Sequence, residues 1–207
     1  MHGKIDNGST RVQYWPGGSL VVDGGIHGNA QVLVQSPTTF TIGTIDHRTF
    51  EYPTDYDIHL MGKIDGGSTV KLVSNRASIL IDGKIDGGSK VELSAAGDIV
   101  IGVVGADGDK KIDGGSAVSI VSGGSVRLGN KIDNGATVVS CRARSGIDIG
   151  DKIDGGAKVR LRPDTGQIHV HGKIDNGSTR VQYYPGGSLV VDGGIHGNAH
   201  VIAGEWS

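Results

Sequence analysis

A short repeat dominates the chain and limits what it can fold into. Lys-Ile-Asp, followed by Gly or Asn and then Gly, begins at seven lysines, mostly 20 or 21 residues apart: Lys4, Lys63, Lys84, Lys111, Lys131, Lys152 and Lys173. Degenerate copies begin at Gly25 and Thr44, and a last, incomplete copy contains Ile195, which brings the number of predicted turns to ten. A repeat of this length is typical of solenoids, in which each copy stacks on the previous one.

One apolar position is the same in all ten copies. It is occupied by Ile5, Ile26, Ile45, Ile64, Ile85, Ile112, Ile132, Ile153, Ile174 and Ile195. Each copy continues with two alternating apolar segments, such as Val70-x-Leu72 and Ile79-x-Ile81, and this alternation predicts strands. We therefore predict an all-β, single-stranded parallel β-helix (β-solenoid) with three short strands per turn. We expect it to be right-handed, because parallel crossovers almost always are.

The residues around the isoleucine predict an outward charged face and a tight corner. Lysine and aspartate flank the inward isoleucine, so both side chains point outward and can neutralise each other. Gly66 and Asn134 share the position after the aspartate, and this exchange of Gly with Asn predicts a positive φ. The aspartate is expected to accept a hydrogen bond from the amides of its own turn. Stacked along the rod, these lysines and aspartates form a charged ladder whose predicted role is structural. Calcium binding by the aspartates is the alternative, but the sequence lacks the nonapeptide spacing of calcium-binding β-rolls.

The whole chain, residues 1–207, is predicted to be one domain with local irregularities. Turns within residues 25–62 are irregular, and residues 103–110 form an insertion expected to protrude as a loop. Residues 2–30 recur at 171–199 with a single difference, Trp15 against Tyr184. This near-identity fits a recent duplication, an engineered or array-derived chain, or a rod whose two ends present similar surfaces. Beyond His200 the copies diverge, which predicts loss of an apolar strand and a cap at residues 202–207.

Composition and charge exclude several classes of function. A net charge of −2 and a sequence pI of about 6.4 argue against nucleic acid as a partner. No apolar run approaches the ~20 residues of a membrane span, and the absence of a signal peptide favours the cytoplasm. A lone cysteine, Cys141, excludes an internal disulfide. No nucleophile, zinc-protease or phosphate-loop motif is present, so we predict a non-enzymatic protein without a cofactor.

Two histidines form a candidate metal site. His169 and His171 alternate in the sequence QIHVH and should both face solvent. One turn away, Asp148 falls in the column of His169 and Asp192 in the column of His171. Two imidazoles with carboxylates could bind Zn²⁺ or a similar ion. A surface histidine pair that binds no functional metal is the alternative.

Aromatic residues are few and concentrate in the first three predicted turns. A ligand or partner patch is predicted at Tyr14, Trp15, Phe50, Tyr52 and Tyr56. Aromatic rings are the usual stacking platforms for sugars, so a carbohydrate-binding or polysaccharide-processing β-helix is an alternative function. Packing at the end of the rod is the other interpretation of these rings.

The segment GGSLVVDGGIHGNAQV at residues 17–32, repeated with one change at 186–201, resembles the repeats of bactofilins. It is also similar to the β-helical C-terminal domain of the cell-division inhibitor MinC and to FapA-type domains. The resemblance implies a bacterial scaffold that self-associates, without cofactor or catalysis. We therefore expect a structural β-helix that forms homo-oligomers or presents an interaction surface, with a glycan as a possible partner. An engineered solenoid without a native ligand is a further alternative.

Overall fold

The structure is a computed structural model whose described backbone covers residues 11–14, 20–22, 31–34, 40–43, 45–46, 49–102, 112–184 and 187–204. Side-chain burial is described for residues 41–43, 45, 53–102, 112–184 and 187–204. Every regular element in these ranges is a β-strand. No helix among the described residues has the length and apolar character to cross a membrane.

The strands follow one another in short segments. In chain order they are β1 (Arg11–Tyr14), β2 (Leu20–Val22), β3 (Gln31–Val34), β4 (Phe40–Ile42), β5 (Ile45–Asp46), β6 (Thr49–Thr54), β7 (Ile58–Leu60), β8 (Ile64–Asp65), β9 (Thr69–Ser74), β10 (Ile79–Ile81), β11 (Lys90–Ala95), β12 (Ile99–Ile101), β13 (Ala117–Ser122), β14 (Val126–Leu128), β15 (Val138–Ala143), β16 (Ile147–Ile149), β17 (Lys158–Pro163), β18 (Gln167–Val170), β19 (Arg180–Tyr183), β20 (Ser188–Val191) and β21 (His200–Ala203).

Two long parallel sheets run along the stack. The eight-stranded sheet has the order β21-β19-β17-β15-β13-β11-β9-β6, and the nine-stranded sheet has the order β2-β4-β7-β10-β12-β14-β16-β18-β20. Each strand pairs with its equivalent one turn away, for example Val70 with Val91 and Ile79 with Ile99. All strand pairs are parallel, which confirms the predicted parallel β-solenoid.

The isoleucine column forms the third face of each turn. Parallel bridges join successive isoleucines from Ile45 to Ile195. Eight isoleucines of this column are described and are joined by seven bridges, whereas the positions of Ile5 and Ile26 lie outside the described residues. Most turns have a single bridged residue here instead of a strand. Ile45 to Ile174 are at most 2% exposed, whereas Ile195 is 51% exposed.

The corner that follows the Lys-Ile-Asp tripeptide has the predicted backbone geometry, with a positive φ. Gly66 has a φ of 65° and Asn134 a φ of 76°, both in the left-handed region. The amide of Gly66 donates to Asp65 Oδ1 at 2.7 Å, and Ser68 Oγ donates to the carbonyl of Asp65 at 2.5 Å. Serines and threonines equivalent to Ser68 are fully buried. At Asp65 the corner therefore satisfies these polar groups before the long strand begins.

Two irregular parts of the chain contribute strands to the stack. β6 stays in register with β9 despite Pro53, so the irregular segment 25–62 still joins the stack. β21 pairs with β19, which shows that the predicted loss of a strand after His200 is wrong. The insertion at 103–110 and residues 205–207 of the predicted cap lie outside the described residues.

Candidate functional site

The lysine–aspartate ladder pairs within each turn. Lysine Nζ lies 2.5–2.8 Å from Oδ2 of the aspartate two residues later in four turns, and Lys173 pairs likewise with Asp175. The second carboxylate oxygen accepts the amide of the following residue, as Asp133 Oδ1 does from Asn134 at 2.8 Å. Each aspartate therefore fixes its own corner while its lysine neutralises it. The prediction that the lysine and aspartate columns neutralise each other's charge is confirmed for these pairs.

We expect acid to destabilise the solenoid through this ladder. Hydrogen bonds from the lysines lower the pKa of Asp65, Asp86, Asp133 and Asp154. A carboxylate with a lowered pKa stabilises the fold above its unfolded-state pKa of about 3.9, and loses that contribution as the pH falls through the folded-state pKa. The melting temperature should be nearly constant between about pH 7 and pH 5 and fall below about pH 4.

Thermal unfolding followed by circular dichroism from pH 7 to pH 2 measures this effect. The variant Asp86→Asn/Asp133→Asn should show a shallower fall, because it has two fewer carboxylates to protonate. A melting temperature that stays constant to pH 2 would contradict a stabilising role for the ladder.

The predicted aromatic patch is distributed over different parts of the fold. Phe50 and Tyr52 pair with Val70 and Leu72, which are inward residues of β9. Their backbone register therefore continues an inward column. Tyr56 lies beyond β6 and is 42% exposed.

The other two aromatic residues lie nearer the N-terminus. Tyr14 ends β1 and pairs with Val34 of β3, in a separate two-stranded sheet. Trp15 lies outside the described residues. A ligand patch formed by all five aromatic residues stays a prediction.

The predicted histidine cluster is brought together on the nine-stranded sheet. Ile168 and Val170 are fully buried, and this places His169 and His171 on the outward side of β18 and its end. Asp148 of β16 pairs in register with His169. Asp192 follows β20, and its amide donates to the carbonyl of Val170 at 3.0 Å.

The side chains of this cluster pair diagonally. His169 Nε2 lies 2.8 Å from Asp192 Oδ1, and His171 Nε2 lies 2.9 Å from Asp148 Oδ1. His171 Nδ1 is also 3.3 Å from Asp192 Oδ2. The two imidazole rings have centroids 3.9 Å apart with an interplanar angle of 37°. The hydrogen bond from His169 is the main cause of the lowered pKa of Asp192.

A further surface, which sequence reasoning missed, lies on the eight-stranded sheet. Exposed cations lie on three adjacent strands, β15, β17 and β19, and in β17 they occupy every outward position. We call this surface the cationic face, and it consists of Arg142, Lys158, Arg160, Arg162 and Arg180. The signal was available in the string KVRLR, where cations alternate with inward residues, and in Arg142 and Arg180, which fall one turn before and one turn after it. The near-neutral charge of the whole chain concealed this local excess.

Comparisons of the chain with family models, curated proteins and solved structures gave no match. The resemblance to bactofilins and the MinC C-terminal domain therefore stays a prediction.

Proposed function

We propose that the protein is a non-catalytic β-solenoid scaffold that presents the cationic face to an acidic polysaccharide. The observation that carries this proposal is that cations lie opposite cations on adjacent strands. Lys158 pairs in register with Arg180, and Arg142 pairs with Arg162. Like charges directly opposite each other on a sheet are destabilising. A polyanion lying across the strands would remove this repulsion.

The other end of the same sheet shows a different arrangement. Lys71 pairs in register with Glu92, and Lys90 Nζ lies 3.6 Å from Glu92 Oε1. Charges of opposite sign therefore lie next to each other there. On the cationic face, Arg142 has one compensating anion, since its Nε lies 3.2 Å from Asp164 Oδ1. The excess of positive charge is therefore a local property of β15, β17 and β19.

An acidic polysaccharide fits this face better than a nucleic acid. Proteins that bind single-stranded nucleic acid combine cations with aromatic stacking platforms. Beside this face, the ring of Tyr184 is already engaged, since the Arg162 guanidinium lies 4.7 Å from its centroid. The parallel strands instead offer cations about 4.8 Å apart from strand to strand. This regular spacing suits a linear polymer with one carboxylate per sugar.

Binding of polygalacturonate to the intact chain tests the proposal. Affinity should fall as salt increases, and neutral dextran should not bind. The variant Lys158→Ser/Arg180→Ser should bind about tenfold more weakly, because two desolvated charge contacts are lost. The matched control Lys71→Ser/Lys90→Ser changes two lysines on the same sheet and should bind like the unmodified chain.

The same mixture also tests the absence of catalysis. The polymer should keep its length distribution during incubation with the protein, and shortened chains would contradict a purely binding role. Stronger binding of single-stranded DNA than of polygalacturonate would identify the wrong polymer class. An equal loss of affinity in the control variant would show that the cationic face is not the binding surface. Self-association, the other role that the resemblance implies, stays a prediction.

A further inference from the structure

The histidine cluster places three metal-ligand atoms close together on a rigid support. His169, His171 and Asp192 each contribute one such atom, and all three lie within 4.8 Å of one another. A tetrahedral ion with bonds of about 2.0–2.1 Å requires donor atoms about 3.3–3.5 Å apart. The 2.8 Å and 3.3 Å contacts between imidazole nitrogens and Asp192 are close to that requirement. Small side-chain rotations would therefore complete a coordination site.

The two carboxylates in contact with His171 favour a cation between its ring and Asp192. A neutral imidazole carries one N–H, so it can donate to Asp148 or to Asp192 but not to both. With the proton on Nε2, facing Asp148, the lone pair of Nδ1 faces Asp192 Oδ2 at 3.3 Å. A metal ion between them turns this repulsive contact into two coordinate bonds. The same metal ion would also accept the lone pair of His169 Nε2, which lies beside the Asp192 carboxylate.

Asp148 occupies the place of an outer partner that orients a ligand. Metal-bound histidines usually donate their other ring N–H to a carboxylate, which fixes the tautomer. Asp148 Oδ1 lies 2.9 Å from His171 Nε2, but the angle of this contact is not that of a hydrogen bond. This oxygen is shielded from solvent. A rotation of the His171 ring onto a metal ion would align the contact.

From this arrangement we infer that His169 Nε2, His171 Nδ1 and Asp192 bind a divalent transition-metal ion, with Asp148 as the residue that positions His171. Two imidazoles and one carboxylate suit Zn²⁺ and leave a coordination position for water. Because the ligands are 32–47% exposed on β18 and beyond β20, the ion can reach them from solvent. This site lies on the nine-stranded sheet and is independent of the cationic face.

The chain contains an incomplete version of the same site. His59 of β7 pairs with Asp82 at 2.7 Å, and these residues are 23 positions apart, as are His169 and Asp192. The place of His171 is taken by Met61, which is 41% exposed. This pair has one imidazole and one carboxylate, so it lacks a ligand that the complete cluster possesses. It supplies a matched internal control.

Calorimetric titration of the intact chain with Zn²⁺ tests the inference. One equivalent should bind, and binding should raise the melting temperature, because the ion binds the folded state. His171→Ala and Asp192→Asn should remove saturable binding, whereas Asp148→Asn should weaken it about 10–100-fold. His59→Ala should leave both stoichiometry and affinity unchanged. Circular dichroism of each variant checks that these exposed substitutions leave the fold intact.

Two further measurements make the assignment specific. Co²⁺ bound in place of Zn²⁺ should give visible absorption bands of a four-coordinate site, and His169→Ala should abolish them. Met61→His completes the second cluster, so this variant should bind a second, weaker equivalent. Absence of saturable binding to the unmodified chain, or full binding by His171→Ala, would overturn the inference. A Met61→His chain that binds only one equivalent would also count against the proposed ligand spacing.

Discussion

Ile132→Asp is expected to remove the cooperative unfolding transition of the solenoid, or to lower its free energy of unfolding by about 4–5 kcal/mol or more. Ile132 is fully buried and bridges Ile112 in the preceding turn and Ile153 in the next. The substitution removes an apolar side chain and places a carboxyl group where no polar partner is available. Since each turn is stabilised mainly by its neighbours, a defect here also separates the two halves of the stack.

Thermal and urea unfolding followed by circular dichroism measure this effect. Ile132→Val keeps the packing with one methyl group fewer and should cost only about 1 kcal/mol. Lys131→Ser removes the partner of Asp133, 2.7 Å away, at a site that is partly solvated. It should cost less than about 1 kcal/mol. A melting temperature unchanged by Ile132→Asp would mean that the isoleucine column does not face the core.

The sequence was sufficient to predict the inward residues because two independent periods agree. Alternation within a strand and recurrence every 20 or 21 residues both assign Ile81 and Val91 to the interior, and both are fully buried. The buried polar column was not predicted. Ser68 and Thr179 have polar side chains, yet both are fully buried. Their burial is possible because each hydroxyl group forms a hydrogen bond with the backbone of a corner.

For the histidine cluster, register could be predicted but side-chain direction could not. The sequence places Asp148 level with His169 and Asp192 level with His171. The close contacts of 2.8 and 2.9 Å instead run diagonally, from His169 to Asp192 and from His171 to Asp148. Side chains on a strand lean along the strand direction, and this lean depends on rotamers that spacing does not determine.

A second large loss of stability is expected from Gly155→Val. Gly155 has a φ of 65°, which a β-branched residue adopts only with strain. A Cβ at this position would lie 2.1 Å from Asp133 Oδ1 and 2.5 Å from the amide nitrogen of Asn134. The side chain would therefore displace the carboxylate that caps the turn below. We expect Gly155→Val to lower the free energy of unfolding by about 3 kcal/mol or more.

Gly155→Asn separates backbone strain from the loss of space. Asn134 and Asn176 occupy the equivalent position in the two adjacent turns, with φ values of 76° and 78°. The corner thus accepts an asparagine side chain, so Gly155→Asn should cost clearly less than Gly155→Val in the same urea titration. Equal losses for the two variants would mean that any Cβ is excluded at this turn. Little loss for valine would mean that the corner can leave the left-handed region, because valine strongly disfavours a positive φ whereas asparagine tolerates it.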